Sequence, residues 1–238
     1  MGRFNLWVIL SFIITPGPYN YGIAQSIPVL PSIPFSHTDT LNDNQILYNG
    51  KIWRNLYYMV QDDQFLFSKE FIPGSLTITG KPFTNINIKY DIYKDEILTP
   101  IDTGGILQLN KEMVDSFSIL FQNKIYHFTR IQEDSLKGLE GYVNVIFKGK
   151  TTLYIKYNKK IEKLAVEGKY DRFYQESRIY FIKDKIVHLI TSKSDLLKVL
   201  DKDKAQIKDF IKKNKLMVSK NLPESFIPVM RYYDNISQ

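Results

Sequence analysis

Closely spaced turn signals, with alternating apolar and polar residues between them, constrain the fold of this chain most. Between residues 46 and 191 such signals recur every eight to twelve residues. Asn49-Gly50 is a strong hairpin dipeptide because both residue types tolerate positive φ. Runs such as Asn85–Ile92 place an apolar side chain at every second position. A period of two with turns at this spacing predicts an antiparallel, mostly up-and-down β domain over residues 46–191.

After residue 191 the apolar residues follow a helical period. Ser192 or Ser194 can cap a helix, and a second, shorter helix is predicted from about Pro223 to Tyr233. The expected fold class is α+β and mostly β: an antiparallel meander or sandwich-like domain, followed by two C-terminal helices over residues 192–238. We expect the helices to pack mainly on each other. The apolar residues of the first helix fall within an arc of roughly 140° and are Leu196, Leu197, Leu200, Ile207, Phe210 and Ile211.

Residues 1–24 have the layout of a secretory signal peptide. Arg3 supplies a positive charge, residues 4–14 form an apolar run, and the small residue Ala24 precedes the expected cleavage site. The apolar run is too short to span a bilayer, which requires about 20 apolar residues. Residues 25–45 follow with three prolines, and this composition predicts an extended arm that leads into the β domain.

The chain contains no cysteine. A bacterial lipoprotein carries its lipid on a cysteine directly after the signal peptide, so the sequence excludes this form of anchoring. Apolar residues make up 44% and aromatic residues 14% of the chain, which is too much for a disordered protein. We therefore expect an exported protein that is periplasmic or associated with the outer membrane, has no transmembrane segment after cleavage and is not a lipoprotein.

The charge is divided unevenly along the chain. Residues 136–238 hold 22 Lys and Arg against 12 Asp and Glu, whereas residues 25–135 hold 9 against 13. The basic half could bind an anionic surface, such as lipid headgroups, an anionic glycan or an acidic protein, and nucleic acid is not expected as a partner of an exported chain. A solvated helix face is the alternative interpretation, since acidic residues are interleaved. The predicted binding residues are Lys208, Lys212, Lys213, Lys215 and Lys220.

One triplet, Asp102-Thr103-Gly104, is similar to the signature of aspartic proteases. Those enzymes need two carboxylates that share one proton, so a single copy could work only in a homodimer. Gly105 stands where that family has Ala or Ser, and no convincing apolar-apolar-Gly segment follows. A Gly-Gly hairpin turn between strands 96–101 and 106–109 is the favoured interpretation, with Asp102 as a catalytic candidate only in the alternative.

No other chemical motif is present. The sequence has no phosphate-binding loop, no dinucleotide fingerprint and no Gly-x-Ser-x-Gly elbow. His37, His127 and His188 do not lie at metal-ligand spacing, and the last two fall inside strand patterns typical of packed side chains. We therefore predict no metal site and no cofactor, and we favour a non-enzymatic protein.

Four segments resemble uncharacterised exported, β-rich envelope proteins of Bacteroidota-type bacteria. A leader that ends in Ala24 followed by Gln25 is also typical of that group. The resemblance implies an envelope location and no known activity, and it transfers no catalytic residue. The four segments are 47–50 (LYNG), 73–76 (PGSL), 88–96 (IKYDIYKDE) and 207–216 (IKDFIKKNKL).

These observations together predict an exported, non-enzymatic binding or accessory subunit with an outer-membrane or cell-surface partner. Two alternatives remain open. One is an aspartic-protease-like hydrolase that uses Asp102 in a homodimer, and the other is a module that binds an anionic glycan or lipid through the basic C-terminal half.

Overall fold

The computed structural model describes residues 45–132, 136, 138–163 and 170–237. The predicted signal peptide, and all of the predicted arm except Gln45, lie outside these residues. The described part is mostly β, with helices at its C-terminal end. The predicted fold class is therefore confirmed.

Eleven strands form one open antiparallel sheet. Its order is β1-β5-β4-β3-β2-β6-β7-β8-β9-β10-β11, so that β6 to β11 form a meander. The strands are β1 (Gly50–Ile52), β2 (Ile72–Ile78), β3 (Lys81–Asp91), β4 (Glu96–Pro100), β5 (Ile106–Leu109), β6 (Val114–Phe121), β7 (Lys124–Ile131), β8 (Gly141–Lys148), β9 (Thr152–Glu162), β10 (Arg172–Lys183) and β11 (Ile186–Ile190).

Three α-helices follow the sheet. They are α1 (Lys193–Val199), α2 (Lys204–Lys213) and α3 (Ile227–Ile236), and short 3₁₀ turns precede α2 and α3. Ser192 is the N-cap of α1, because its hydroxyl accepts a hydrogen bond from the Asp195 N–H at 3.2 Å. The first predicted helix is thus interrupted near Leu200, while Pro223 stands in the first turn of the 3₁₀ segment that leads into α3.

The helices pack on one face of the last strands as well as on each other. Phe226, Met230 and Tyr233 are buried in one apolar cluster with Leu196 and Ile207. The packing therefore involves more of the sheet than the sequence predicted. Phe210 is only half-buried and stacks on Tyr232 at a centroid distance of 4.1 Å. The strand residues in the cluster are Leu153, Ile155, Ile179, Phe181 and Ile190.

A second apolar core fills the region of β2, β3, β6 and β7. At its centre Tyr90 meets Phe117, Phe128 and Tyr142 edge to face, with centroids 5.0–5.9 Å apart. Side chains of β8–β10 that point away from the helices form a third, smaller cluster around Val143. The sheet is thus covered by apolar contacts on both faces near β9.

The segment between β1 and β2 crosses from one side of the sheet to the other. Leu66 donates its N–H to the Tyr90 carbonyl on β3, and Gln61 exchanges hydrogen bonds with Asp171 and Phe173 beside β10. This crossing holds the ends of β3 and β10 close together in space. In the part of the chain that the structure describes, no helix is long and apolar enough to cross a membrane.

Candidate functional site

A cluster of charged groups lies where the β3–β4 turn meets β8 and β9. Asp95, in the turn, accepts hydrogen bonds from the Tyr90 hydroxyl at 2.5 Å, from Lys111 at 2.8 Å and from Lys156 at 3.0 Å. The Tyr142 N–H also donates to this carboxylate, at 3.2 Å. We call this group the Asp95 junction. It connects the β3–β4 turn with strands that lie about 50 to 60 residues further along the chain.

Gly141 is required by this arrangement. Its φ is +76°, and a Cβ atom added there would lie 1.8 Å from a carboxylate oxygen of Asp95. A side chain at this position would therefore displace the carboxylate, so glycine lets Asp95 reach the backbone of β8.

The charged groups of the Asp95 junction are paired with one another. Burial by itself would raise the pKa of Asp95, but the Lys156 and Lys111 ammonium groups outweigh burial and hold that pKa below its ordinary value. Burial lowers the pKa of Lys156 by more than Asp95 raises it. The adjoining cleft has a volume of about 400 Å³, and its charges are largely paired within the protein. This pattern favours a structural role for the Asp95 junction.

A second buried carboxylate, Asp91, lies at the end of β3. It accepts hydrogen bonds from the Gln64 side chain at 3.0 Å and from the N–H groups of Tyr93 and Lys94 at 2.9 Å. Burial raises the pKa of Asp91 to about 6, although these hydrogen bonds oppose the shift. The group thus fixes the β3–β4 turn while carrying a charge that the fold disfavours.

Asp91→Asn is expected to alter the pH dependence of stability. A folded-state pKa above the unfolded value means that stability falls as pH rises from about 4 to about 6. Asparagine keeps an acceptor for the turn but has no charge. From pH 4 to pH 7.5, urea denaturation should show the variant gaining roughly 2 kcal/mol relative to the unmodified chain. A pH-independent difference between the two proteins would contradict the raised pKa of Asp91.

Asp102→Asn, an exposed turn substitution, should change the free energy of unfolding by under about 1 kcal/mol.

The outer edge of β10 is partly open. β9 pairs with β10 from Arg172 to Ile182, but β11 covers only residues from Ile179 onward. The Phe173 N–H donates to Gln61, away from β9, and alternate residues of a strand direct their backbone groups to the same side. Gln175 and Ser177 therefore direct theirs outward too. Within the described residues, no strand, loop or side chain pairs with these outward groups.

A groove of about 580 Å³ lies beside this open edge. Ile155, Ile179 and half-buried Tyr157 supply an apolar floor, and the turn that carries Lys220 and Pro223 forms the opposite wall. That wall is fixed, because the Ser225 hydroxyl accepts from the Ser219 N–H at 2.9 Å and donates to the Ser219 carbonyl at 3.2 Å. We call this feature the edge groove.

Cationic groups stand at the rim of the edge groove. Lys220 is exposed on the wall opposite β10, whereas Arg178 also lines the cleft beside the Asp95 junction, where its guanidinium lies 3.5 Å from Glu176. The groove thus combines unpaired backbone donors and acceptors, an apolar floor and positive charge. Those are the elements that recognise an extended peptide by strand addition.

The structure separates the predicted site residues. Asp102 is exposed at the tip of the β4–β5 turn, where the Gly104 N–H donates to the Ile101 carbonyl. The hairpin-turn interpretation describes this geometry. All five predicted lysines are exposed, but Lys220 alone among them lines the edge groove. Lys208, Lys212 and Lys213 lie on α2, and Lys215 follows it at a φ of +51°.

The described histidines do not assemble a metal site. Across the described residues, no group of three or more His, Asp or Glu side chains could hold a metal ion. His127 is exposed on β7 rather than packed, and its Nδ1 lies 2.8 Å from the Ser118 hydroxyl. No carboxylate in the described part of the chain forms a hydrogen bond to His127, so the pair lacks the third group of a catalytic triad.

In comparisons with known proteins, no family model, curated protein or solved structure matches the chain.

The sequence does not predict the edge groove, although it contains one signal for the open edge of β10. Lys183-Asp184-Lys185 is a turn signal, and the apolar run after it ends at Ile190, just before the helix cap Ser192. The strand before that turn begins at Arg172, so β10 must extend beyond β11. The sequence does not show that the apolar floor of the edge groove and the turn carrying Lys220 lie beside the part of β10 that β11 leaves uncovered.

Proposed function

We propose that this chain is an exported, non-enzymatic binding subunit that holds an extended segment of a partner protein in the edge groove. The observation that carries the proposal is the open edge of β10, where the outward backbone groups of Gln175 and Ser177 lack a partner strand and Ser177 lines an apolar groove. The leader pattern of residues 1–24 supports export, and the partner is then a protein of the cell envelope.

The groove defines the chemistry of the bound segment. A strand added at Gln175 and Ser177 gains main-chain hydrogen bonds on one side. Its alternate side chains point to opposite faces, so one set enters the floor formed by Ile155 and Ile179. An acidic residue or a C-terminal carboxylate in the same segment would lie near Lys220. We therefore expect a short peptide that alternates apolar residues and includes one acid.

Ser177→Pro is the sharpest test of this proposal. Proline removes the outward N–H of Ser177 but leaves the β9 ladder intact, since that N–H does not face β9. The probe is a fluorescein-labelled peptide of alternating Val and Thr that ends in Glu, and binding is followed by fluorescence anisotropy. We expect Ser177→Pro to weaken binding by roughly tenfold or more, the effect of about 1.4 kcal/mol.

Ser177→Val is the matched control, because it keeps the N–H and favours a strand. It should bind the probe as the unmodified chain does. Equal binding by the proline variant, with unchanged circular dichroism, would refute strand addition. Concentration-dependent dimerisation that disappears in Ser177→Pro would instead identify a second copy of the chain as the occupant, and would refute a separate partner.

A further inference from the structure

The loop of residues 53–60, which does not line the edge groove, presents large apolar side chains to solvent. Leu56, Tyr58 and Met59 are 73%, 79% and 65% exposed. Three neighbouring apolar side chains with this exposure are unusual on a folded protein and mark a surface that contacts something else. We call residues 53–60 the apolar loop.

The apolar loop is held in place from both ends and from its middle. The Trp53 N–H donates to the Ile106 carbonyl at 2.8 Å, and the Gln61 N–H donates to the Asp171 carbonyl at 2.8 Å. Between them, the Tyr57 ring packs edge to face on Tyr93 and on Phe173. Because Tyr57 points inward, its neighbours Leu56 and Tyr58 are held outward.

Cations outnumber accessible acids around the apolar loop, where the acids are half-buried Glu96 and exposed Asp62. Residues 51–61 contain Lys51 and Arg54 and no acid. Lys94 adds a third cation at the base of the loop, 5.7 Å from the centre of the Tyr57 ring. The acid beneath it, Asp91, is fully buried and does not reach the surface. The surface of the loop therefore combines apolar and aromatic side chains with an excess of cations over accessible acids.

We infer that the apolar loop docks the protein on a bilayer surface that carries anionic headgroups. Leu56, Tyr58 and Met59 would enter the region between headgroups and acyl chains, while Lys51 and Arg54 would stay at the level of the phosphates. Tyrosine is suited to that boundary because one end of its ring is apolar and the other polar. Basic residues next to buried apolar groups add attraction to anionic lipid. This inference does not depend on the edge groove.

The chain supplies its own reporter for a test. It has two tryptophans, Trp7 and Trp53, and Trp53 is the first residue of the apolar loop. In the full chain with Trp7→Phe, brominated lipids should quench Trp53 when the loop enters the bilayer. The probes are phosphatidylcholine vesicles with and without phosphatidylglycerol. Because quenching of Trp53 reports the loop itself, membrane contact by the apolar run at residues 4–14 would not imitate the result.

The expected result is strong Trp53 quenching by the anionic vesicles. Replacing Leu56, Tyr58 and Met59 together by serine should reduce it by roughly tenfold or more at equal lipid concentration. Lys51→Ala with Arg54→Ala should remove the dependence on phosphatidylglycerol. Leu120→Ser with Ile125→Ser is the matched control, since both residues are exposed apolar side chains on another surface. The inference would be overturned if the triple variant retained full quenching. It would also be overturned if neither vesicle type quenched Trp53 in the protein with the unaltered loop.

Discussion

Replacement of Asp95 by alanine is expected to destabilise the protein by about 3 kcal/mol, the low end of the range for a buried ion pair, because the Asp95 and Lys156 side chains are 19% and 21% exposed. The substitution leaves the Lys156 ammonium and the Tyr90 hydroxyl without the acceptor that they share in the native protein. It also removes the acceptor of the Tyr142 N–H. Chemical denaturation at neutral pH, followed by tryptophan fluorescence, measures the effect.

Glu176→Ala is the matched control for Asp95→Ala. Glu176 also contacts two cations, Lys160 at 2.9 Å and Arg178 at 3.5 Å, but these cations are 43% and 55% exposed, so water screens both pairs. Its loss should leave stability within experimental error. Equal effects of the two substitutions would contradict the view that the Asp95 junction fastens the β3–β4 turn to β8 and β9.

The second large effect is expected for Phe226→Ala, at about 3–5 kcal/mol, which is typical of a fully buried phenylalanine. Phe226 is completely buried in the cluster that joins the helices to β9, β10 and β11. Truncation leaves a cavity that the surrounding strands cannot fill without moving. Thermal or urea denaturation of the folded variant provides the measurement.

Phe210→Ala provides a comparison within the same helical region. Phe210 is half-buried and stacks on Tyr232, so its removal forfeits one aromatic contact and part of its buried area, about 1–2 kcal/mol. The order of the two effects is the informative result. A larger loss for Phe210 than for Phe226 would show that the helices pack on each other and not on the sheet.

The position of Phe210 illustrates where sequence periodicity stops being informative. Its spacing placed it on the apolar stripe of the first helix, and α2 does carry Ile207 and Ile211 on its buried side. The helix breaks at Leu200, however, and a 3₁₀ turn intervenes before α2 begins at Lys204. Because the helix is interrupted, the apolar face of α2 is not a direct continuation of that of α1, and Phe210 lies at the margin of the buried face.

Local patterns determined the elements themselves. Strands and the Ser192 cap depend on a residue and its near neighbours, and several of these could be read directly, such as the alternation of β3 and the serine before α1. Asn49-Gly50 does not form the predicted hairpin, because β1 begins at Gly50 and pairs with β5. The same reasoning identified Asp102 as a turn residue. The fold class followed because turn spacing limits how strands can connect.

Only the tertiary structure decided which residues meet. Asp95 reaches Lys156 across 61 positions of sequence, and Gln61 reaches Phe173 through the crossing between β1 and β2. Neither contact can be predicted from the spacing of apolar residues, because each joins segments that are far apart in sequence and depends on the strand order β1-β5-β4-β3-β2-β6. The edge groove has the same origin. The open length of β10 lies between Phe173, which bonds to Gln61, and Ile179, where pairing with β11 begins. The residue pattern of one strand does not show where a neighbouring strand ends.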